Sequence, residues 1–290
     1  MISINGKTRT FGVIGNPVEH TMSPVIHNTI SEKVGFNAVY VPFHVETGKL
    51  ADAVKGGIAL DLLGFNVTVP YKSDVIALLN DIDPLAKRIG AVNTLVRNGD
   101  GFKGYNTDMP GLLRAMKKDG VSINGEDIII LGAGGVARAV AMLVADNGAN
   151  HIYILNRSID KAEAVADEVN SYCNKKIISA LKITDYDKLP KDKKYLAIQA
   201  TSVGMHPNVE ECVIEDDEFF KMIHTGYDIV YKPLETRFMK LAKENGAKAY
   251  HGLRMLLYQG VIAYELWTGM NISDEMSEAA YEKMLEAMKG

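Results

Sequence analysis

The segment Gly132-Ala133-Gly134-Gly135-Val136-Ala137 follows the apolar run 128–131 and opens a stretch with helical apolar spacing. In that setting glycines act through the backbone. Gly132 permits a tight turn, Gly134 lets the main chain approach a pyrophosphate, and Ala137 is small enough for close packing of helix on strand. The helix N-terminus adds an attraction for negative charge. A dinucleotide fits this combination; a ligand-free glycine turn is its plain structural counterpart. Next comes Asn156-Arg157-Ser158, 24 residues after Gly132, with Lys161 one turn further on. An NAD site would place a carboxylate there for the ribose hydroxyls, whereas a planar guanidinium beside a hydroxyl suits the extra phosphate of NADP. NADP is therefore favoured over NAD, and the alternative is a helix start with solvated charges.

Lys72 closes the segment Asn66-Val67-Thr68-Val69-Pro70-Tyr71-Lys72, in which a strand pattern runs into a proline. A lysine at a strand end can give a proton to a developing alkoxide, and recover it in reverse, if its surroundings let it exchange near neutral pH. An isolated loop lysine is otherwise simply solvated. Gly104-Tyr105-Asn106-Thr107-Asp108 precedes Pro110, and Asp108 there reads equally as a helix N-cap.

Positioning such groups calls for strand ends, and the chain supplies them. Short β-branched runs alternate with longer amphipathic ones, which predicts an α/β fold with crossover helices. Strands are expected over 11–14, 38–43 and 65–69, with helices from about Ser23 and Leu50. A hairpin, 94–97 and 102–105, turns on Asn98-Gly99-Asp100-Gly101 and makes this first sheet mixed. A second, separate series begins at Asp127, with strands over 127–131, 151–155, 195–200 and 227–230 and helices over 135–146 and 159–171. Beyond Gly252, the stretches 253–267 and 273–288 carry helical spacing. Boundaries near Asp108 and Gly252 make the middle of the chain an insertion. Residues 1–108 with the helices of 252–290 form one domain, and 109–251 form a Rossmann-like domain with a parallel sheet.

The 290 residues suit about two domains, and 47% hydrophobic with 23% charged residues can build substantial cores. A formal charge of -4 offers no global field for nucleic acid or anionic membrane, so any anion site is local. No apolar stretch approaches the roughly 18 residues of a spanning helix, and the start lacks the apolar core of a signal peptide. The expectation is a cytoplasmic protein. Cys173 and Cys212 form no CxxC pair and read as reduced structural thiols, and no metal-ligand spacing is present. Monomer and homodimer are both open.

Taken together, the motifs resemble the shikimate dehydrogenase family from end to end. Gly15-Asn16-Pro17, His20-Thr21-Met22-Ser23-Pro24 and His27-Asn28 look like its N-terminal substrate motif. The segments around Lys72, Gly90-Ala91-Val92-Asn93-Thr94, Asp108 and the glycine loop follow. Ala200-Thr201-Ser202-Val203-Gly204-Met205, then Asp228-Ile229-Val230-Tyr231 with Pro233 and Thr236, and Gly252-Leu253-Arg254-Met255-Leu256 with Gln259-Gly260 complete the family order.

The resemblance implies reversible NADP-dependent reduction of 3-dehydroshikimate to shikimate, on the route to chorismate and the aromatic amino acids. It makes residues 1–108 the substrate-binding catalytic domain and 109–251 the NADP domain, with hydride transfer in a cleft between them. Lys72 and Asp108 would flank the reacting carbonyl, Lys72 transferring the proton while Asp108 holds the charge state of Lys72 and hydrogen-bonds a ring hydroxyl. Thr21, Ser23, Thr68 and Tyr231 would hold the substrate carboxylate, and Asn93 with Gln259 the ring hydroxyls. Gly132, Ala133, Gly134, Gly135, Val136, Asn156, Arg157, Ser158, Lys161, Thr201, Ile229, Gly252 and Met255 would hold the cofactor, with no metal required.

Residue chemistry leaves other roles for some of these. Ser23 before Pro24 is a good N-cap, Met255 suits core packing, and His20 and His27 read as structural. Thr21 stands where the family commonly has serine, and a methyl there can shift discrimination between shikimate and quinate by about 1–3 kcal/mol. Ser158 and Lys161 replace a more usual threonine and arginine and soften the preference over NAD. The alternatives are a quinate/shikimate dehydrogenase with relaxed NAD use and a non-catalytic nucleotide sensor, the latter opposed by the presence of both Lys72 and Asp108.

Overall fold

The computed structural model describes residues 4–289, so the outermost ends of the expected first domain, 1–3 and 290, lie outside the described residues. The chain divides into two compact units. One runs up to Leu112 and resumes at Leu256, and the other is Leu113–Met255.

In the first unit, β1 (Arg9–Gly15), α1 (Ser23–Val34), β2 (Ala38–His44), α2 (Leu50–Ala59) and β3 (Gly64–Val67) form the parallel part. Then come β4 (Asp81–Ile82), α3 (Pro84–Ile89), β5 (Thr94–Asn98), β6 (Gly101–Tyr105) and α4 (Asp108–Lys118). Among the described residues the sheet order is β2-β1-β3-β5-β6-β4, with β5 antiparallel to β3 and β6. The predicted hairpin is present, and it makes this sheet mixed. Because β6 again runs parallel to β3, the ends of β1, β3 and β6 and the start of β5 share one edge.

The second unit carries β7 (Asp127–Leu131), α5 (Gly135–Asp146), β8 (His151–Asn156), α6 (Ile159–Cys173), β9 (Ile178–Lys182) and β10 (Tyr195–Gln199). It continues with α7 (Asp217–Lys221), β11 (Ile223–Asp228), α8 (Arg237–Glu244) and β12 (Lys248–Tyr250). The order β12-β11-β10-β7-β8-β9 is parallel throughout and matches the 3-2-1-4-5-6 order of dinucleotide-binding sheets. Burial explains the composition: β10 is buried at every position and β7 at all but Asp127, as strands covered on both faces must be. α5 presents Ala137, Val140, Ala141 and Val144 inward at helical spacing.

Two helices follow, α9 (Leu253–Thr268) and α10 (Asp274–Lys289), and the passages between units fall inside α4 and α9. Trp267 on α9 donates its indole N–H to the Leu95 carbonyl at 2.8 Å, which fixes α9 on the first sheet. Among the described residues no helix is long and apolar enough to cross a membrane.

Most strands differ from expectation by a residue or two at an end, as Arg9–Gly15 does from 11–14 and Tyr195–Gln199 from 195–200, and two of the differences have a clear local cause. The strand expected over 65–69 ends at Val67, because Pro70 has no N–H and Val69 turns outward, 64% exposed, its carbonyl taken by Asn16 N–H. The strand expected over 227–230 is Ile223–Asp228, since the Asp228 carboxylate accepts from Val230 N–H at 2.9 Å and turns the chain out of the ladder. Cys173 and Cys212 are free thiols, and burial pushes Cys212 up to about 11.

His27 is fully buried among Phe11, Tyr40, Tyr264 and Trp267, stacked on Tyr40 with ring centroids 4.2 Å apart, and among the described residues neither ring nitrogen has a well-formed hydrogen bond. Burial pushes its pKa down to about 3, with Asn66 opposing. The folded state thus holds His27 neutral while the unfolded chain protonates near 6.5. Stability is fully present above pH 6.5 and is lost as the pH falls toward 3. Unfolding in denaturant at pH 7 and pH 5 should show about 2 kcal/mol less of this loss in His27→Phe than in the wild type. Equal losses in the two proteins would remove His27 as the cause.

Candidate active site

The polar edge of the first sheet gathers Lys72, Asn93 and Asp108 from three separate strand ends. Lys72 follows β3, Asn93 precedes β5 and Asp108 follows β6. Lys72 Nζ donates to Asp108 Oδ2 at 2.7 Å, and Asn93 Nδ2 donates to Asp108 Oδ1 at 2.8 Å. The main chain reinforces this, since Val92 N–H donates to the Lys72 carbonyl at 2.8 Å. The lysine and aspartate side chains are 33% and 21% exposed, open enough to meet a ligand.

Asp108 is free for this because another residue does the capping. Asn106 Oδ1 accepts from the N–H groups of Asp108 at 3.1 Å and Met109 at 3.4 Å, so the α4 start is satisfied by Asn106 and the N-cap reading of Asp108 does not hold. The Asn93 amide cannot flip. Its oxygen accepts from Thr107 N–H at 2.8 Å, a group that only donates, and from the Thr94 hydroxyl at 3.0 Å. The NH2 end must then face Asp108. Behind it, Asn66 Nδ2 donates to the Asn93 carbonyl and the Thr94 hydroxyl, both at 3.1 Å, and Asn66 Oδ1 accepts from Tyr40 at 2.8 Å.

Thr21 and Ser23 lie beyond β1, their hydroxyls 3.2 Å apart. Met22, not Ser23, occupies the cap position of α1 without capping through its side chain, and Ser23 begins the helix with Pro24 behind it. Ser23 is buried near the Tyr40 phenol and partly opposes the rise that burial imposes there. Thr68, half-buried, is fixed by its N–H to the Ile14 carbonyl at 3.0 Å. Among the described residues no hydrogen bond or ion pair joins Thr68 or Gln259 to the Lys72–Asp108 pair. Gln259 approaches α4 at Gly111, where an added Cβ would stand 2.6 Å from the Gln259 backbone nitrogen, so only glycine lets α4 and α9 come this close. His20 is exposed, and with His27 it takes no part in this network.

In the second unit the glycine loop lies between β7 and α5. Gly132 has φ +112°, and a Cβ on it would meet Thr201 at 2.8 Å. Gly134 and Gly135 face open space, where side chains would fill the room an anion needs at the α5 N-terminus. Ala133 is half-buried, Val136 is exposed and Ala137 is buried against the sheet, as close packing requires. Past β8, Asn156 Nδ2 donates to the Ser158 carbonyl at 2.9 Å, and Ser158 holds the α6 cap position with its hydroxyl uncommitted to the backbone. Arg157 and Lys161 are exposed, and among the described residues neither pairs with a carboxylate. The donor set therefore fits an adenosine ribose carrying an extra phosphate. Thr201, Ile229 and Tyr231 follow β10 and β11, the side of the sheet that takes the other half of a dinucleotide. Burial raises the Tyr231 phenol above its ordinary range. Gly252 is buried and Met255 half-buried at the start of α9.

Residue patterns give no role to Tyr40 or Gly111, and Thr94, Asn106 and Thr107 stand inside the motifs named above without a role of their own. Asn66 offered a signal, a polar residue inside the otherwise apolar Gly64–Val67, since a buried polar group is the informative exception. Among the described residues no group of three or more His, Cys, Asp or Glu is placed to hold a metal ion.

Three family models match the chain: a shikimate dehydrogenase substrate binding domain over 13–95, shikimate / quinate 5-dehydrogenase over 114–202, and a shikimate 5'-dehydrogenase C-terminal domain over 252–275. A shikimate dehydrogenase (NADP(+)) of Methanocaldococcus jannaschii is 40% identical over 277 residues, 96% of this chain and 97% of that protein. Among solved structures, a shikimate dehydrogenase in complex with NADP+ superposes with a TM-score of 0.89 at 37% identity, covering 99% of this chain and 98% of the other. Shikimate 5-dehydrogenase from Listeria monocytogenes, in complex with shikimate and NAD, gives 0.87 at 35% identity, with 95% and 97% covered.

Proposed function

The chain belongs to the shikimate dehydrogenase family, and from that premise we propose how its own residues carry out the NADP-dependent, reversible reduction of 3-dehydroshikimate to shikimate. The observation that carries the residue assignment is the Lys72–Asp108 pair at 2.7 Å, locked by Asn93. NADP, when bound, supplies the hydride in one direction and accepts it in the other. Lys72 gives its proton to the carbonyl oxygen as negative charge develops there, and takes a proton from the hydroxyl in reverse. Asp108 holds the ammonium at that atom and accepts from a ring hydroxyl.

The hydroxyls of Thr21, Ser23, Thr68 and Tyr231 bind the substrate carboxylate. These are neutral ligands for an anion, so placement matters more than charge. Asn93 and Gln259 read the remaining ring hydroxyls. Gly132, Ala133, Gly134, Gly135 and Val136 cradle the pyrophosphate; Asn156, Arg157, Ser158 and Lys161 take the phosphorylated ribose; Thr201, Ile229, Gly252 and Met255 line the nicotinamide half. Residues up to 108 with the terminal helices thus serve the substrate, and 109–251 the cofactor, in a cytoplasmic enzyme of aromatic amino-acid biosynthesis.

The test is reduction of cofactor followed by absorbance in four parallel assays, shikimate or quinate with NADP or NAD. Shikimate with NADP should exceed each other pairing by about tenfold or more in kcat/KM. Comparable rates with quinate or NAD would replace this reading by a broader dehydrogenase, and silence in all four would sink it.

A further inference from the structure

Asp228 is a fully buried carboxylate at the end of β11, and among the described residues no lysine, arginine or histidine pairs with it. An unpaired buried charge is costly unless several donors converge on it. Three do: the Thr236 hydroxyl at 2.6 Å, Val230 N–H at 2.9 Å and Gln199 Nε2 at 3.3 Å. Burial still pushes the carboxyl up to about 7, with these donors opposing.

Each donor leads to a loop at the same end of the sheet. Gln199 is itself buried, and its Oε1 accepts from Thr201 N–H at 2.6 Å and the Thr201 hydroxyl at 2.7 Å, while its Nε2 also reaches the Val203 carbonyl at 3.0 Å. Thr201 in turn touches the glycine loop at Gly132. Val230 N–H fixes the turn that presents Ile229, whose own N–H donates to the Gln199 carbonyl at 3.1 Å. Gly252 is packed directly on the Ile229 carbonyl, and its N–H donates to the Val230 carbonyl at 3.0 Å. Thr236 caps α8 through Met239 N–H.

We infer that Asp228 is a positioning residue of the cofactor site, holding the loops that carry Thr201 and Ile229 in register at the nicotinamide half while leaving the adenosine half untouched. The inference rests on the dinucleotide reading given above. The adenosine-side residues Arg157, Ser158 and Lys161 follow β8, two strands away from β10 across the sheet, so the two halves can be probed separately.

The experiment measures binding of NADPH and of adenosine 2′,5′-bisphosphate to wild type, Asp228→Ala and Asp228→Asn, well below each melting temperature. In Asp228→Ala the NADPH dissociation constant should rise by about tenfold or more, while that of the bisphosphate stays within about twofold. Asp228→Asn should recover most of the loss, because its amide oxygen still accepts from Val230 and its NH2 can donate to Thr236. If Asp228→Ala yields no folded protein, Gln199→Met cuts the arm to Thr201 at similar volume and should show the same selective loss. Unchanged NADPH affinity, or equal weakening of both probes, overturns the inference. Wild-type protein that binds neither probe fails the dinucleotide reading itself, a result distinct from wild-type binding with indifferent variants.

Discussion

Lys72→Ala should lower kcat by about two orders of magnitude or more, with the NADPH dissociation constant changed by less than about twofold. The loss follows from geometry. Lys72 Nζ is held by Asp108 at 2.7 Å, Asp108 by Asn93 at 2.8 Å, and the Asn93 oxygen by donors of Thr94 and Thr107, so the ammonium is aimed before any substrate arrives. Both partners are partly solvated, and a solvated pair contributes little to stability, so the melting temperature should barely move. Lys72→Arg separates charge from proton transfer: the guanidinium keeps the positive charge but does not release a proton near neutral pH. It should therefore be nearly as slow as the alanine variant. Near-normal turnover in either variant, measured with saturating shikimate and NADP, would take Lys72 out of the chemistry.

Arg157→Ala should reduce kcat/KM with NADP by about 10- to 100-fold, the equivalent of losing charge-assisted hydrogen bonds worth about 1.5–3 kcal/mol. With NAD the same variant should change by less than about threefold, since NAD lacks the phosphate that the guanidinium meets. Lys161 adds charge on the same helix start and limits the fall. Both cations stand free of carboxylates among the described residues, so no intramolecular pair has to break before they bind. The effect should also weaken as salt is raised, because these groups are exposed. An unchanged ratio of the two cofactors would return Arg157 to the status of a solvated helix-start charge.

What the residues reveal unaided depends on whether a signal is local. β7 and α5 fall where the apolar run and glycine loop place them, Asp127–Leu131 and Gly135–Asp146, because periodicity, turn chemistry and burial agree there. β4, β9 and β12 were not foreseen. Each is a sheet edge paired on one side only, and two of them are very short, β4 with 2 residues and β12 with 3. The site divides in the same way. Lys72 and Asp108 carry reactive groups at strand ends, and family likeness put them together across 36 residues. The Asn93 amide is held by Thr94 and Thr107, ordinary residues whose role exists only once β5 and β6 pair. Family likeness marks Asp228 and Thr236, but not that Asp228 meets Gln199 across 29 residues and Thr236 across 8, contacts that exist only once β10 and β11 pair.

The way the units share the chain sets an order on synthesis. Leu113–Met255 is one uninterrupted stretch, while the other unit needs the chain on both sides of it. As the polypeptide leaves the ribosome from its N-terminus, β1 to β6 emerge before the unit Leu113–Met255, yet α9, which covers them, and α10, which packs on α1, are made after it. Trp267, which stacks on Phe11 with ring centroids 5.1 Å apart, and Tyr264, which bonds Ser31 at 3.1 Å, are missing until then. The later-encoded unit is thus the first able to finish. Through that interval the nascent chain carries an aromatic face around Phe11, His27 and Tyr40 that Tyr264 and Trp267 of α9 close, and exposed apolar surface of this kind is what makes a growing chain prone to aggregate.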